Sequence, residues 1–178
     1  MTMEFTHRLA TREDVSSLEP MVTRAIDVLQ RGYLDSTQIA ASHAIMGLDT
    51  QLIDDGTYFV IERDGALAGC GGWSRRATLF GADHSAGRDA HLLNPNTDAA
   101  RVRAMYTHPD FTRRGVGRLI LTLCEKAAAA EGFTLMQLHA TLAGLPLYLA
   151  YGFEPLEEVT IDSSGVLIPC VHMTKRIG

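Results

Sequence analysis

The stretch Met105-Tyr-Thr-His-Pro-Asp-Phe-Thr-Arg-Arg-Gly-Val-Gly117 decides the fold of this chain. It leaves a predicted strand, turns at a proline, passes through a basic turn with two glycines and enters an amphipathic helix. Apolar residues on that helix recur at spacings of three and four, which marks one buried face. They are Val116, Leu119, Ile120, Leu123 and Ala127. The stretch therefore predicts a strand–turn–helix unit.

The basic turn has the features of a phosphate site. Gly115 and Gly117 lack Cβ atoms, so a ligand can approach the backbone there. The first N–H groups of the helix and its positive dipole end suit a pyrophosphate. Arg113, Arg114 and Arg118 add positive charge around it. The turn therefore predicts a pyrophosphate-binding loop.

Other uses of a glycine turn compete with this interpretation. The Walker pattern is excluded because no Gly-Lys-Ser/Thr follows. The dinucleotide fingerprint is excluded because Ile120 stands where its third glycine belongs. A glycine turn that serves only helix packing stays open as an alternative.

A second motif, Leu147-Tyr-Leu-Ala-Tyr-Gly-Phe153, follows about 30 residues later. It places Tyr148 and Tyr151 on a short predicted helix that ends at Gly152, a common residue just past a helix end. Core packing is the favoured account of Tyr151. For Tyr148, packing and a functional role stay equally open on the motif alone.

The remaining pattern predicts strands and helices in mixed order. The strands are 6–10, 57–63, 66–74, 99–107, 134–139, 157–162 and 166–175, and the helices are about 11–29, 36–46, 115–131 and 142–150. Residues 79–97 are rich in Gly, Asp, Asn and His and predict a surface loop. The expected fold class is α/β, a mixed sheet with helices packed on it, in a single domain of residues 1–178.

Composition narrows the function further. Hydrophobic residues make up 46% and the net charge is −5, which gives no reason to expect nucleic acid as a partner. The first 14 residues are too polar for a signal peptide, and no apolar run is long enough to span a membrane. Three widely spaced cysteines without a CxxC pair point to reduced thiols and a cytoplasmic location. No metal is expected, because three loop histidines lack ligand spacing: His84, His91 and His108.

Together the two motifs resemble the GNAT superfamily of N-acetyltransferases. The acetyl-CoA motif of that family is Arg/Gln-x-x-Gly-x-Gly/Ala, after a strand that ends in hydrophobic-x-Val-His-Pro. Here Met105–Pro109 and Thr112–Gly117 fill that frame, and the downstream pattern matches Leu147-Tyr148 and Gly152-Phe153. The chain departs from the family at Thr112, where Arg or Gln is usual, and at the next residue, where Arg replaces Gly.

The resemblance implies a GNAT-like fold, with a mostly antiparallel sheet splayed between two strands and helices on both faces. It also implies acetyl-CoA as acyl donor, its pantetheine arm lying along β-strand residues 105–107 as an added strand would. Thr141 stands where the family often has Asn and offers a hydroxyl to that arm. The implied coenzyme-binding residues are Met105, Tyr106, Thr107, Thr112, Arg113, Arg114, Gly115, Val116, Gly117, Arg118 and Thr141.

The implied activity is acetyl transfer to a primary amine of a small molecule or a protein, by direct attack in a ternary complex. Tyr148 is placed like the general acid of the family. A tyrosine of pKa about 10 keeps its proton at pH 7 and can give it to a thiolate of pKa about 8.5. Many enzymes of this fold are dimers, so the resemblance allows a homodimer, but the sequence does not define the oligomeric state. The alternative is a GNAT-fold sensor or structural module that binds acyl-CoA without turnover.

The acceptor side of the site is less defined by the sequence. Arg101 and Arg103 share a strand face with Met105 and predict either solvent-exposed arginines or an anchor for a substrate carboxylate or phosphate. Trp73 predicts a wall of the acceptor pocket or a hydrophobic plug. A general base is unassigned, with water leading to a backbone carbonyl or a histidine such as His139 as alternatives. The sequence identifies neither the acceptor nor the length of the acyl group.

Overall fold

The computed structural model describes residues 4–178 and contains one seven-stranded sheet in that range. Along the sheet the strands follow the order β1-β2-β3-β4-β5-β7-β6. Every neighbouring pair is antiparallel except β4 and β5, which are parallel. The strands are β1 Thr6–Leu9, β2 Tyr58–Arg63, β3 Ala66–Ser74, β4 Ala100–Thr107, β5 Leu135–Thr141, β6 Glu154–Ser163 and β7 Val166–Arg176.

Five α-helices accompany the sheet in the described residues, one more than the sequence predicted. They are α1 Val15–Leu29, α2 Ser36–Ser42, α3 Thr50–Asp54, α4 Val116–Ala130 and α5 Leu145–Tyr151. The unpredicted helix, α3, has five residues, which is too short to show a helical period. Its N-cap is Asp49, whose carboxylate accepts from the backbone N–H of Gln51 at 3.0 Å.

The helices pack on both faces of the sheet. Val60 and Ile61 are neighbours on β2, and they belong to different buried clusters because successive strand residues point to opposite faces. One cluster contains the buried face of α4, and the other contains the buried faces of α1 and α3. This arrangement confirms the predicted mixed α/β fold.

The sheet opens between β4 and β5. These strands pair only at Ala100 with Met136 and at Arg101 with Gln137, after which they separate. A bulge in β4 lies just past that point, since Cys70 faces Tyr106 while Gly72 faces Arg103. The extra residue bends the strand and increases its twist. The predicted splay of the sheet is therefore present, and it leaves a gap at the centre of the fold.

Several negative findings apply to residues 4–178 alone. No helix in this range is both long and apolar enough to cross a membrane. No group of three His, Cys, Asp or Glu side chains in the same range could hold a metal ion. All three cysteines are free and buried. Residues 1–3, part of the segment judged too polar for a signal peptide, lie outside the described residues.

Candidate active site

A cavity of about 110 Å³ occupies the gap between the separated strands. One wall is formed by β4 residues 102–106, and the opposite wall by Leu138, His139 and Thr141 of β5. Tyr148 of α5 reaches it from the side, and the segments that follow α2 and β3 close it. The remaining lining residues are Ile45, Met46, Leu79, Phe80, Gly81, Ile161, Ile168 and Cys170.

Tyr148 is partly buried and lines this cavity. Its ring lies against Gly144, where a Cβ atom would come within 2.9 Å of Tyr148 Cε2. It also meets Phe153 edge-on at 6.0 Å between ring centroids, and its hydroxyl lies 4.0 Å from Met105 Sδ. Burial raises the pKa of Tyr148 to about 12. The residue therefore both packs and presents a protonated hydroxyl at neutral pH.

The glycine turn fits a phosphate group at Gly115. This residue is the N-cap of α4 and has φ +90°, a left-handed conformation that favours glycine. A Cβ atom there would meet no atom within 4 Å, so the backbone is open to a ligand. A glycine N-cap offers no side chain to the first N–H groups of the helix, which leaves them for an external anion.

Gly117 has a packing role, the alternative that the sequence had left open for the glycine turn. A Cβ atom on Gly117 would come within 2.5 Å of Leu147 Cδ2. The missing side chain thus lets α5 pack closely on α4, which helps to position Tyr148 on α5. The glycine turn and the tyrosine motif are therefore joined by direct packing, and a Cβ atom would meet open space at Gly115 but not at Gly117.

The departures from the family motif also have visible consequences. The Thr112 hydroxyl donates to the Pro109 carbonyl at 3.3 Å, so it closes the turn rather than extending as an Arg or Gln would. Arg113 has φ +57°, in the left-handed region where non-glycine residues are uncommon. The position occupied by Gly in the family therefore has a backbone geometry that favours Gly.

The other residues of the turn are held by aromatic rings and by the core. The Arg114 guanidinium lies over the Phe111 ring at 5.7 Å, and that of Arg118 lies over Tyr151 at 5.5 Å. Tyr151 donates to Glu125 at 2.7 Å and does not line the cavity. The Val116 side chain is 1% exposed in the core. Arg114 and Arg118 therefore place positive charge beside the turn.

Two residues of the predicted pantetheine strand, Met105 and Tyr106, line the cavity. The Tyr106 hydroxyl is hydrogen-bonded within the fold. That hydroxyl accepts from the Gly47 N–H at 2.8 Å and donates to the Gly47 carbonyl at 3.2 Å. Thr107 is partly buried at the end of β4. Thr141 lines the cavity, and its oxygen accepts from the Gly144 N–H at 3.1 Å.

Arg103 lines the cavity, but its guanidinium group is already hydrogen-bonded within the fold. Its Nη2 lies 2.9 Å from Asp49 Oδ2 and donates to the Gly81 carbonyl at 2.8 Å. Arg88 donates to both oxygens of the same carboxylate at 2.9 Å. Burial lowers the pKa of Arg103, and the charge of Asp49 opposes that shift. Arg103 is therefore a buried ion-pair partner rather than a solvent-exposed strand residue.

Two other residues that were candidates for binding the acceptor, Arg101 and Trp73, are not among the described residues that line the cavity. Arg101 donates to the Gln137 side chain at 2.8 Å, across the last paired position of β4 and β5. Trp73 is 1% exposed and meets Phe133 edge-on at 5.9 Å. Its position is that of the hydrophobic plug, the second of the alternatives raised by the sequence.

His139, one of the alternatives raised for the general base, does line the cavity. Its ring stacks on Phe80 at 5.3 Å and meets His172 edge-on at 4.9 Å. Burial, the neighbouring His172 and Arg101 together lower the pKa of His139 to about 4. The imidazole is therefore neutral at pH 7 and a weak base. Phe80 was missed by sequence reasoning because it is a lone aromatic residue in a loop without periodicity.

Comparison with known proteins agrees with this geometry. A family model described as an acetyltransferase (GNAT) domain matches residues 54–155, which include the cavity strands, the glycine turn and α5. A comparison of the sequence with curated proteins gave no significant match. Because the family model covers more than half of the chain, the chain belongs to the GNAT acetyltransferase family.

Solved structures share the fold at low sequence identity. A GCN5-related N-acetyltransferase from Rhodopseudomonas palustris has 19% identity and a TM-score of 0.73, with 99% of each chain covered. The PaiA N-acetyltransferase from Thermoplasma acidophilum, solved with coenzyme A, has 15% identity and a TM-score of 0.66, covering 98% of this chain and 99% of that one. The ribosomal-protein-S18-alanine N-acetyltransferase from Escherichia coli has 15% identity and a TM-score of 0.60, with coverage of 98% and 95%.

Proposed function

We propose that this protein transfers acetyl from acetyl-CoA to a primary amine by direct attack in a ternary complex, with Tyr148 as general acid. The observation that carries the proposal is the cavity between β4 and β5, which Tyr148 of α5 lines. The open backbone at Gly115 supports the coenzyme half of the proposal. Membership of the GNAT family supports the reaction class.

Different parts of the chain have separate roles in the proposed reaction. Acetyl-CoA supplies the acyl group as an activated thioester. The N-terminus of α4 holds the pyrophosphate, and the backbone of residues 105–107 holds the pantetheine arm. The backbone N–H of Met105 or Tyr106 donates to the thioester oxygen as negative charge develops on it. Tyr148 gives its proton to the departing thiolate as the carbon–sulfur bond breaks and the amide bond forms. The attacking nitrogen loses one proton to water, and water then returns a proton to Tyr148.

Release of free thiol from acetyl-CoA in the presence of an amine tests the proposal. We expect release that depends on both enzyme and amine and saturates with each substrate. Calorimetric titration with acetyl-CoA alone measures binding separately. Binding without thiol release, for every amine in a broad panel, would instead establish the non-catalytic acyl-CoA-binding module.

The pH dependence of kcat/KM is expected to follow the protonation of the amine. Among the described residues that line the cavity none is a carboxylate, and His139, with a pKa of about 4, is a weak base. The amine must therefore react in its neutral form, and kcat/KM should rise about tenfold per pH unit below the amine pKa. Because the Tyr148 pKa is raised from 10 to about 12, its acidic form persists through pH 10.

Steady-state rates between pH 6 and 10, corrected for hydrolysis without enzyme, measure this profile. The expected curve rises through the range and has no falling limb at the alkaline end. A plateau that begins near pH 7 would instead reveal a base of near-neutral pKa. That result would conflict with a cavity whose described lining residues include no carboxylate and whose His139 has a pKa of about 4.

A further inference from the structure

The charge distribution of the cavity restricts which amine it can hold. None of the described lining residues is acidic, and Arg103 is the one permanently charged side chain among them. Both protons of its Nη2 are directed at partners within the fold, the Asp49 carboxylate and the Gly81 carbonyl. Arg88 shares the same carboxylate, so both Asp49 oxygens are already engaged by guanidinium groups. A second ammonium on the substrate would find no carboxylate among the described lining residues.

Most of the other lining side chains are apolar, and the polar ones, among them His139, Thr141 and Tyr148, are uncharged at pH 7. Phe80 lies flat on the His139 ring, with 21° between the two planes. His139 is neutral at pH 7 because burial lowers its pKa to about 4. Ile161 and Ile168, from the β6–β7 hairpin, also line the cavity. Contact of these apolar side chains with hydrocarbon is favourable, and none of the described lining side chains offers a negative charge to an ammonium group.

We propose that the acceptor is a primary monoamine on an uncharged, apolar body, an inference that rests on the proposed function. Burial of an apolar substrate body against Phe80 and the isoleucines stabilises its complex. A second ammonium would lose its hydration without gaining a carboxylate. A substrate carboxylate would have to compete with Asp49 for the arginine donors. Diamines, amino acids and peptide N-termini are therefore disfavoured.

Two matched pairs of small amines test the inference. Pentylamine and 1,5-diaminopentane differ by one terminal ammonium, and 3-methylbutylamine and leucine differ by one carboxylate. In each pair the uncharged-body amine is expected to have at least a tenfold higher kcat/KM, measured by thiol release from acetyl-CoA at a pH adjusted for the amine pKa. A tetrapeptide with a free N-terminal alanine supplies the peptide arm of the same assay, and we expect it to be a poorer acceptor than pentylamine.

A substitution that adds a carboxylate to the cavity wall tests the same inference by changing the protein instead of the amine. Phe80 is 36% exposed, so Phe80→Glu can be accommodated without burying a carboxylate. We expect this variant to lower the preference for pentylamine over 1,5-diaminopentane at least fivefold. Phe80→Leu is the matched control and should keep the original preference. The dissociation constant of acetyl-CoA should be similar in both variants.

The possible outcomes distinguish a wrong acceptor class from a wrong acetyltransferase function. Thiol release that is fastest with 1,5-diaminopentane, leucine or the peptide would overturn the acceptor class and leave the acetyltransferase function standing. An unchanged preference in Phe80→Glu would also overturn it. Acetyl-CoA binding without release for any amine would overturn both the acceptor class and the proposed function.

Discussion

Replacement of Tyr148 with phenylalanine is expected to lower kcat at least tenfold while the dissociation constant of acetyl-CoA changes little. The substitution keeps the ring, which packs on Gly144 and meets Phe153 edge-on. It removes the hydroxyl, whose contact with Met105 Sδ at 4.0 Å is too weak to stabilise the fold. Positioned proton transfer contributes about 10²- to 10⁴-fold to rates, so a tenfold loss is a conservative bound.

Tyr151→Phe is the matched control for this experiment. Tyr151 lies on the same helix and is replaced in the same way, but its hydroxyl donates to Glu125 outside the cavity. Thermal unfolding of both variants checks that α5 is intact. Steady-state kinetics and calorimetry then separate kcat from coenzyme binding. An unchanged kcat in Tyr148→Phe, with a folded protein, would remove Tyr148 from the mechanism.

The features that were predictable from the sequence are those encoded by neighbouring residues. A strand, a proline corner, two glycines and an amphipathic helix stand within one continuous stretch, so the strand–turn–helix unit at 105–117 is a local property. The family resemblance then supplied the splayed sheet and the place of Tyr148, which the local pattern alone left open between packing and function. The order of the predicted elements was confirmed apart from the short helix α3.

The features that were missed depend on contacts between distant parts of the chain. Gly117 is expected in the ligand turn, and its missing Cβ also accommodates Leu147, 30 positions later. Arg103 looks like an exposed strand arginine, yet it pairs with Asp49, which is 54 residues away. No period or spacing encodes either contact. The acceptor side of the cavity is built from such contacts, and for that reason the sequence did not define it.

Replacement of Asp49 with asparagine is expected to lower the free energy of unfolding by about 3–5 kcal/mol, since removing one partner of a buried ion pair leaves an uncompensated charge. The side chains of Asp49 and Arg103 are 1% and 2% exposed, so water cannot replace the lost carboxylate charge. Asparagine keeps the volume of the side chain and an oxygen that can cap α3 through the Gln51 N–H. The loss therefore reports the missing charge, and urea denaturation followed by circular dichroism measures it.

Asp54→Asn is the control, because Asp54 forms an ion pair with Arg12 at the protein surface, where such pairs contribute little to stability. The same Asp49 variant also tests how the cavity is held, since Arg103 binds both Asp49 and the Gly81 carbonyl of the cavity wall. With that anchor weakened, the folded fraction of Asp49→Asn should show a raised KM for the amine and an almost unchanged KM for acetyl-CoA.

The stability prediction fails if Asp49→Asn lowers the free energy of unfolding by less than about 1 kcal/mol, the range of a surface pair. Such a result would show that other groups compensate the positive charges of Arg88 and Arg103.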